Sequence, residues 1–260
     1  MFNVKILKDS THNGNRLTTF ELEYPRYIHS EVLMHREFSR NSQSSRAIPV
    51  AKSIEILEKG GGTIPIFMRN RSGMAASERI EGADLTYCEE AWEYAKENAI
   101  DSAKELISLG VHKQIANRLL EPFLTIKTIL SSTSFDNFFN LRIAPGAQQE
   151  IQHLAILMKE LYTSSKPEQL DVCQYHLPYI TEDEKEQYPV DTLKKLSTAR
   201  CARVSYLTHG NVKSIVDDLR LHDQLLADKH ASAFEHTATP YPEKVSNFKG
   251  WLQYRKEVGL

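Results

Sequence analysis

Residues 83–109 (ADLTYCEEAWEYAKENAIDSAKELISL) constrain the fold more than any other stretch. Leu85, Cys88, Trp92, Ala95, Ala99, Ala103, Leu106 and Leu109 recur mostly every three or four positions, and Gly110 follows as a stop, which predicts one long helix. A helix with one apolar stripe must lay it on something. Alternating, β-branched and aromatic positions predict strands at 2–7 and 18–24, with a turn at Thr11–Asn15 between them. Further helices are expected at 26–38, at 51–60 before the glycines Gly60, Gly61 and Gly62, at 111–120 and about 123–131 on either side of Pro122, at 147–162 and at 211–227. Residues 39–50 read as a polar loop closed by Pro49, 202–207 as a strand or buried turn, and the tail after Thr239 as irregular. Strands and helices mix without regular βαβ alternation. The expectation is therefore an α+β chain with a mixed or antiparallel central sheet and long packed helices. One domain spans 1–260, with an exposed polar excursion at about 164–198.

Composition narrows the function classes. Lys and Arg number 32 against 34 Asp and Glu, a net charge of −2, so no global basic field favours nucleic acid as a partner. Three cysteines without CxxC spacing, Cys88, Cys173 and Cys201, argue against a disulfide framework and against a metal site. The first residues lack a signal-peptide core, and no run approaches the ~20 apolar residues of a membrane span. A soluble protein with no membrane partner is expected, in the cytoplasm, or in a host's cytoplasm if the source is viral.

Residues 34–46, MHREFSRNSQSSR, hold three arginines, a histidine, four serines, an asparagine and a glutamine. So many donors with so little apolar bulk suit a phosphate or a polar heteroaromatic ring, although a solvated loop has the same composition. At every spacing but one the segment resembles the RHRxxSxNxxSxR signature of flavin-dependent thymidylate synthases. His35, Arg36, Ser39, Asn41, Ser44 and Arg46 match, while Met34 stands for the first arginine and Ser42 for a usual glutamate. Pro25 and Glu31 keep the family's upstream spacing, with glutamate for glutamine.

Two further blocks agree with this resemblance. NFFNLRIAPGAQQEI (137–151) is similar to the family's NFxxLR…AQxEI, with Ser131 and Thr133 standing where the family has an asparagine and an arginine. ANRLLEP (116–122) is similar to ARxxLP. ARVSY (202–206) and HASAFEH (230–236) resemble segments that precede the signature in the family but follow it here, the order a circular permutation produces.

The resemblance implies reductive methylation of dUMP to dTMP with FAD as cofactor and methylenetetrahydrofolate and NADPH as co-substrates, in a homotetramer with shared active sites. It assigns Arg142 as the catalytic arginine beside the pyrimidine. His35, Arg36, Ser39, Asn41, Asn137, Ser205 and His236 would contact FAD. Glu31, Ser42, Gln43, Ser44, Ser45, Arg46, Arg118 and Arg142 would bind the nucleotide. Two alternatives stay open: hydroxymethyl or other one-carbon transfer to dUMP or dCMP, and a nucleotide-binding homologue without activity. The other thymidylate synthases need an activated cysteine. Carboxylates flank Cys88 and Cys173, whereas Cys201 lies between Arg200 and Arg203 and stays open as a nucleophile.

Overall fold

The structure is a computed structural model that describes residues 2–73, 75–205 and 214–260. Its centre is a sheet in the order β3-β4-β2-β1-β5, formed by β1 (Asn3–His12), β2 (Asn15–Pro25), β3 (Ser39–Ser42), β4 (Thr125–Ser132) and β5 (Glu168–Gln169). All pairings are antiparallel except β1 with β5, so the sheet is mixed. The β1–β2 turn is Asn13–Gly14, both at positive φ (46° and 77°); an Asn-Gly pair tolerates this best. The C-terminal hairpin pairs β6 (Ala238–Val245) with β7 (Phe248–Gln253).

Among the described residues the α-helices are α1 (His29–Leu33), α2 (Val50–Glu58), α3 (Ala83–Ser108), α4 (Lys113–Leu120), α5 (Asp136–Arg142), α6 (Gln149–Ser164), α7 (Glu182–Gln187), α8 (Val190–Ala202), α9 (Ile215–Ala227) and α10 (Tyr254–Glu257). The α+β class follows directly. One sheet face carries Phe20, Leu22, Tyr24, Ile126 and Leu130 and packs on α5 and α6 through Phe138, Phe139, Leu154 and Met158. The opposite face is covered by α8, where Cys201 and Val204 meet Ile129. The long helix α3 lays its stripe on α2 and α4, with Ile100, Ala103 and Trp92 against Leu57 and Leu120.

Four local expectations change. The stretch after Pro122 is strand β4, not helix; Thr125, Ile126, Thr128 and Ile129 bring β-branched side chains to both faces of a buried sheet. The polar loop at 39–50 contains β3, whose backbone pairs with β4. The irregular tail is the β6–β7 hairpin, with Trp251 and Phe248 fully buried. The segment 164–198 is no exposed excursion: Leu170, His176, Leu177, Leu193 and Leu196 are buried, because α8 supplies the cover for the sheet's second face. Of the turn expected at 202–207, residues 203–205 form a 3-10 turn; 206 and 207 lie outside the described residues, as do 211–213 of the helix expected there. Among the described residues no helix is long and apolar enough to cross a membrane.

Candidate functional site

Strand β3 displays the signature residues on two faces, because successive side chains of a strand alternate. Ser39 and Asn41 face α8 and the C-terminal hairpin. The Ser39 hydroxyl oxygen accepts from Asn247 Nδ2 and Gln253 Nε2, both at 3.0 Å. Asn41 Nδ2 donates to the Cys201 carbonyl at 3.4 Å. Arg40 and Ser42 face the α5–α6 side, where Arg40 Nη1 donates to the carbonyls of Leu33 (2.6 Å) and His35 (3.3 Å).

The expected site residues gather in two cavities. The first, about 410 Å³, is lined by His35, Arg36, Asn137 and Arg142, with Met34, Phe38, Phe138 and Leu141 as apolar walls. Arg142 closes α5, and its Nε donates to His35 Nε2 at 3.0 Å while Nη2 reaches the Glu31 carbonyl at 3.4 Å. A ring nitrogen that accepts carries no proton, so His35 is held as the neutral imidazole. Burial, then Arg142 and Arg40, push its pKa below the usual value. The imidazole edge also meets Phe138, ring centroids 4.9 Å apart. Arg142 is therefore aimed by a neutral acceptor, in a cavity that the Glu37 carboxylate also lines.

The second cavity, about 440 Å³, is lined by Asn41, Ser44, Arg46 and Ser205 together with Gln114, His230 and Ser232. Arg46 is a cation there, and no carboxylate is among the lining residues, a balance that favours an anion. The loop that carries Arg46 is fixed from below: Asn117 of α4 donates through Nδ2 to the carbonyls of Ser45 and Ile48, both at 2.8 Å. Ser205 ties the loop to the chain's later half, its hydroxyl donating to the Ser42 carbonyl at 3.2 Å.

Other expected residues stand elsewhere. Gln43 lines a third cavity of about 650 Å³ with Glu23, Lys127 and the glycines 60–62. Ser45 is buried. Ser39 lines neither of the first two cavities. Arg118 lies outside them also; it is exposed, its Nη1 held 3.1 Å from both carboxylate oxygens of Glu121, the geometry of a surface ion pair on a helix end. His236 is fully buried, with Nδ1 2.8 Å from Ser131 Oγ. In the HASAFEH segment it is His230 that reaches a cavity, along with Ser232. Sequence reasoning missed these two and Gln114. No local spacing marks them, because their cavity is closed by segments far apart in the sequence.

Burial also decides the cysteine question. Cys201 is fully buried, and desolvation with Glu21 nearby pushes its thiol pKa up. The adjacent arginines do not activate it: Arg200 pairs with Glu184 and Asp218, and Arg203 with Asp218. A thiol so placed is inert. Among the described residues no group of three or more His, Cys, Asp or Glu comes together as metal ligands.

The donor set of the first cavity suits a planar ring with one apolar face and one polar edge, the character of an isoalloxazine. Two positions that the resemblance gives to the flavin are bonded within the protein instead, Ser131 buried and Thr133 half-buried. Ser131 Oγ lies 2.6 Å from Thr19 Oγ1 and 2.8 Å from His236 Nδ1, and Thr133 Oγ1 accepts from the Lys249 amide at 3.0 Å. His35, Arg36 and Asn137 remain as a fitting set.

Together with the signature strand, a family match makes this chain a thymidylate synthase-like enzyme. The family model described as thymidylate synthase complementing protein matches residues 16–168, and the chain belongs to that family. Two solved structures of a UMP/dUMP methylase, PolB from Streptomyces cacaoi, are similar to it. The one bound with 5-Br UMP has 16% identity and a TM-score of 0.49, over 63% of this chain and 89% of that one. The one bound with 5-Br dUMP has 14% identity and the same TM-score, over 63% and 90%. No curated protein matches the chain.

Proposed function

We propose that this protein reductively methylates dUMP to dTMP as an FAD-dependent thymidylate synthase-like enzyme, with methylenetetrahydrofolate and NADPH as co-substrates and no enzyme nucleophile. The observation that carries the reading is the Arg142–His35 pair: a permanent cation, aimed by a neutral imidazole, in an amphipathic cavity that Arg36 and Asn137 share. The inert, buried Cys201 removes the strongest candidate for a covalent route.

In this reading Arg142 donates to a carbonyl of the pyrimidine ring and stabilises the negative charge that develops there. Arg46 holds the phosphate, helped by Ser44, Ser232, His230 and Gln114. His35, Arg36 and Asn137 hold FAD, with the further contacts at Ser39, Asn41, Ser205 and His236 that the family resemblance suggests. Bound FAD would supply the hydride chemistry of the reductive step. Arg46 and Arg142 line different cavities of one chain. We take the site to be completed by a second subunit of a homotetramer; exposed Leu33, Met34 and Leu141 beside the first cavity offer apolar surface for that contact.

The test is incubation with dUMP, dCMP, labelled methylenetetrahydrofolate, NADPH and FAD, with products identified by mass. Thymidylate as product, together with a flavin spectrum in the purified protein, is expected. Colourless protein that takes up no FAD and gives no product would favour the inactive homologue. A second reading, hydroxymethyl or other one-carbon transfer to dUMP or dCMP, draws on Glu31 and Ser42, which depart from the family's residues near the expected pyrimidine edge; a hydroxymethylated product would select it.

A further inference from the structure

The C-terminal hairpin of β6 and β7 lies outside the residues that the family model matches, and the proposed reaction gives it no task. Its tip is nevertheless fastened to both segments that frame the first cavity. Val245 and Phe248 are partners across the short turn Ser246–Asn247. Asn247 Nδ2 donates to the Glu37 carbonyl at 3.2 Å and to Ser39 Oγ at 3.0 Å. On the other side the Lys249 amide donates to Thr133 Oγ1 at 3.0 Å. Glu37 and Ser134, the neighbour of Thr133, both line that cavity.

One cross-strand pair further from the turn, Lys244 stands directly opposite Lys249. Residues opposed in this way project from the same face of an antiparallel pair, with Cβ atoms about 5 Å apart. Two ammonium groups so placed repel each other, and the hairpin gains no stability from them. Lys244 Nζ has one loose contact, 3.8 Å from Glu37 Oε2, with both side chains about half exposed. A pair that long and that exposed is weak and easily exchanged for a better partner. Among the described residues no carboxylate pairs with the Lys249 ammonium. Lys244 and Lys249 therefore stand beside Arg36 at the rim of the first cavity, against the carboxylate of Glu37. That excess of positive charge suits an extended anion with several acceptor oxygens.

We propose that Lys244 and Lys249 bind the diphosphate of the FAD whose ring the first cavity holds, which makes the C-terminal hairpin part of the cofactor site. A diphosphate offers a negative charge to each ammonium and cancels the repulsion between them. Asn247 and Thr133 fix the hairpin tip, so the two lysines are held at the rim before the ligand arrives. The inference rests on the reading of the first cavity as a flavin site.

The experiment is fluorescence titration of FAD, and of riboflavin, which has the ring but no phosphate, into the purified full chain freed of bound flavin. The variants are Lys244→Gln, Lys249→Gln, the double glutamine variant and the double arginine variant. Both side chains are exposed, so folding should be undisturbed, and urea midpoints check this. FAD affinity should fall about 5- to 30-fold in the double glutamine variant, the worth of two exposed ion pairs, while riboflavin affinity changes less than about 2-fold. Each single variant should show part of the loss, and the double arginine variant should keep FAD affinity. Added salt should weaken FAD binding more steeply in the wild type than in the double glutamine variant. Unchanged FAD affinity in the double glutamine variant would overturn the inference and leave the first cavity standing as a flavin site. Equal losses for FAD and riboflavin would also overturn it, because the hairpin would then act only on the shape of the ring pocket. Binding of neither flavin by the wild type would overturn the flavin reading and the inference together.

Discussion

At the scale of single residues, burial keeps several histidines neutral. His35 accepts from Arg142 Nε, and a lysine in place of Arg142 has no planar fork to reach His35 and a ring carbonyl in fixed directions at once. Arg142→Ala and Arg142→Lys are each expected to lower kcat by about 10- to 150-fold or more, the ~1.5–3 kcal/mol of a charge-assisted hydrogen bond made in the transition state. Flavin content should stay near that of the wild type. Near-full turnover in Arg142→Lys would show that the guanidinium fork is not what the reaction needs. A pH dependence follows from the same burial. His29 and His236 have pKa values lowered by desolvation to about 4 and about 3, and His176 lies well below its usual value. Unfolded, each takes up a proton near 6.5; folded, each refuses it. The stabilisation is complete above pH 6.5 and drains away as pH falls toward 4 and then 3. Urea midpoints should drop across that window, and His236→Gln should flatten the drop. A wild-type midpoint unchanged from pH 7 to pH 4 would contradict the neutral assignments.

At the scale of elements, the signature works because a polar segment is locked as an edge strand. β3 contributes only Ser39–Ser42, yet it is paired to β4 on one side and gripped by Gln253, Asn247 and Ser205 on the other. Beyond it the loop with Ser44, Ser45 and Arg46 hangs on one amide: Asn117 Nδ2 satisfies two buried carbonyls at once. Asn117→Leu keeps the volume and abandons both acceptors. It should cost about 2–4 kcal/mol of stability, and in addition weaken dUMP binding, because the loop that presents Arg46 is freed. Destabilisation with intact affinity would mean the loop holds its shape without this clamp.

At the scale of the whole molecule, the second cavity is built from distant parts of the sequence. Arg46 comes from the region matched by the family model, while Ser205, His230 and Ser232 come from beyond residue 168, where that match ends. The expected permuted order, in which segments that lead in the family follow here, would bring the same segments together. On the proposed reading, the phosphate and ring contacts of one site come from two subunits, since Arg46 and Arg142 line different cavities. Mixing Arg46→Ala protein with Arg142→Ala protein should then restore part of the activity that each lacks, through hybrid sites that keep one intact pair. Hybrids shown to form by mass spectrometry, yet without activity, would place both arginines of a site on one chain.

The local pattern of the chain determined a good share of this. The helix-period stripe from Leu85 to Leu106 is α3, the alternation in 18–24 is β2, and the spacing from His35 to Arg46 carried the family, because these signals depend on neighbours a few positions apart. What local pattern could not decide was pairing. The apolar run after Pro122 is compatible with either period until β2 and β3 flank it on both sides. The tail after Thr239 becomes a hairpin because Phe248 and Trp251 find Leu17 and Leu170. The candidate site residues divide in the same way. Residue types at fixed spacing named His35, Arg142 and Arg46, but only the packed fold decided that His236 is interior and His230 faces a cavity, that Arg118 stays with Glu121, and that Cys201 is sealed away from any substrate. Burial and hydrogen-bond partners are properties of contacts between remote segments, and those contacts exist only once the sheet has closed around its core.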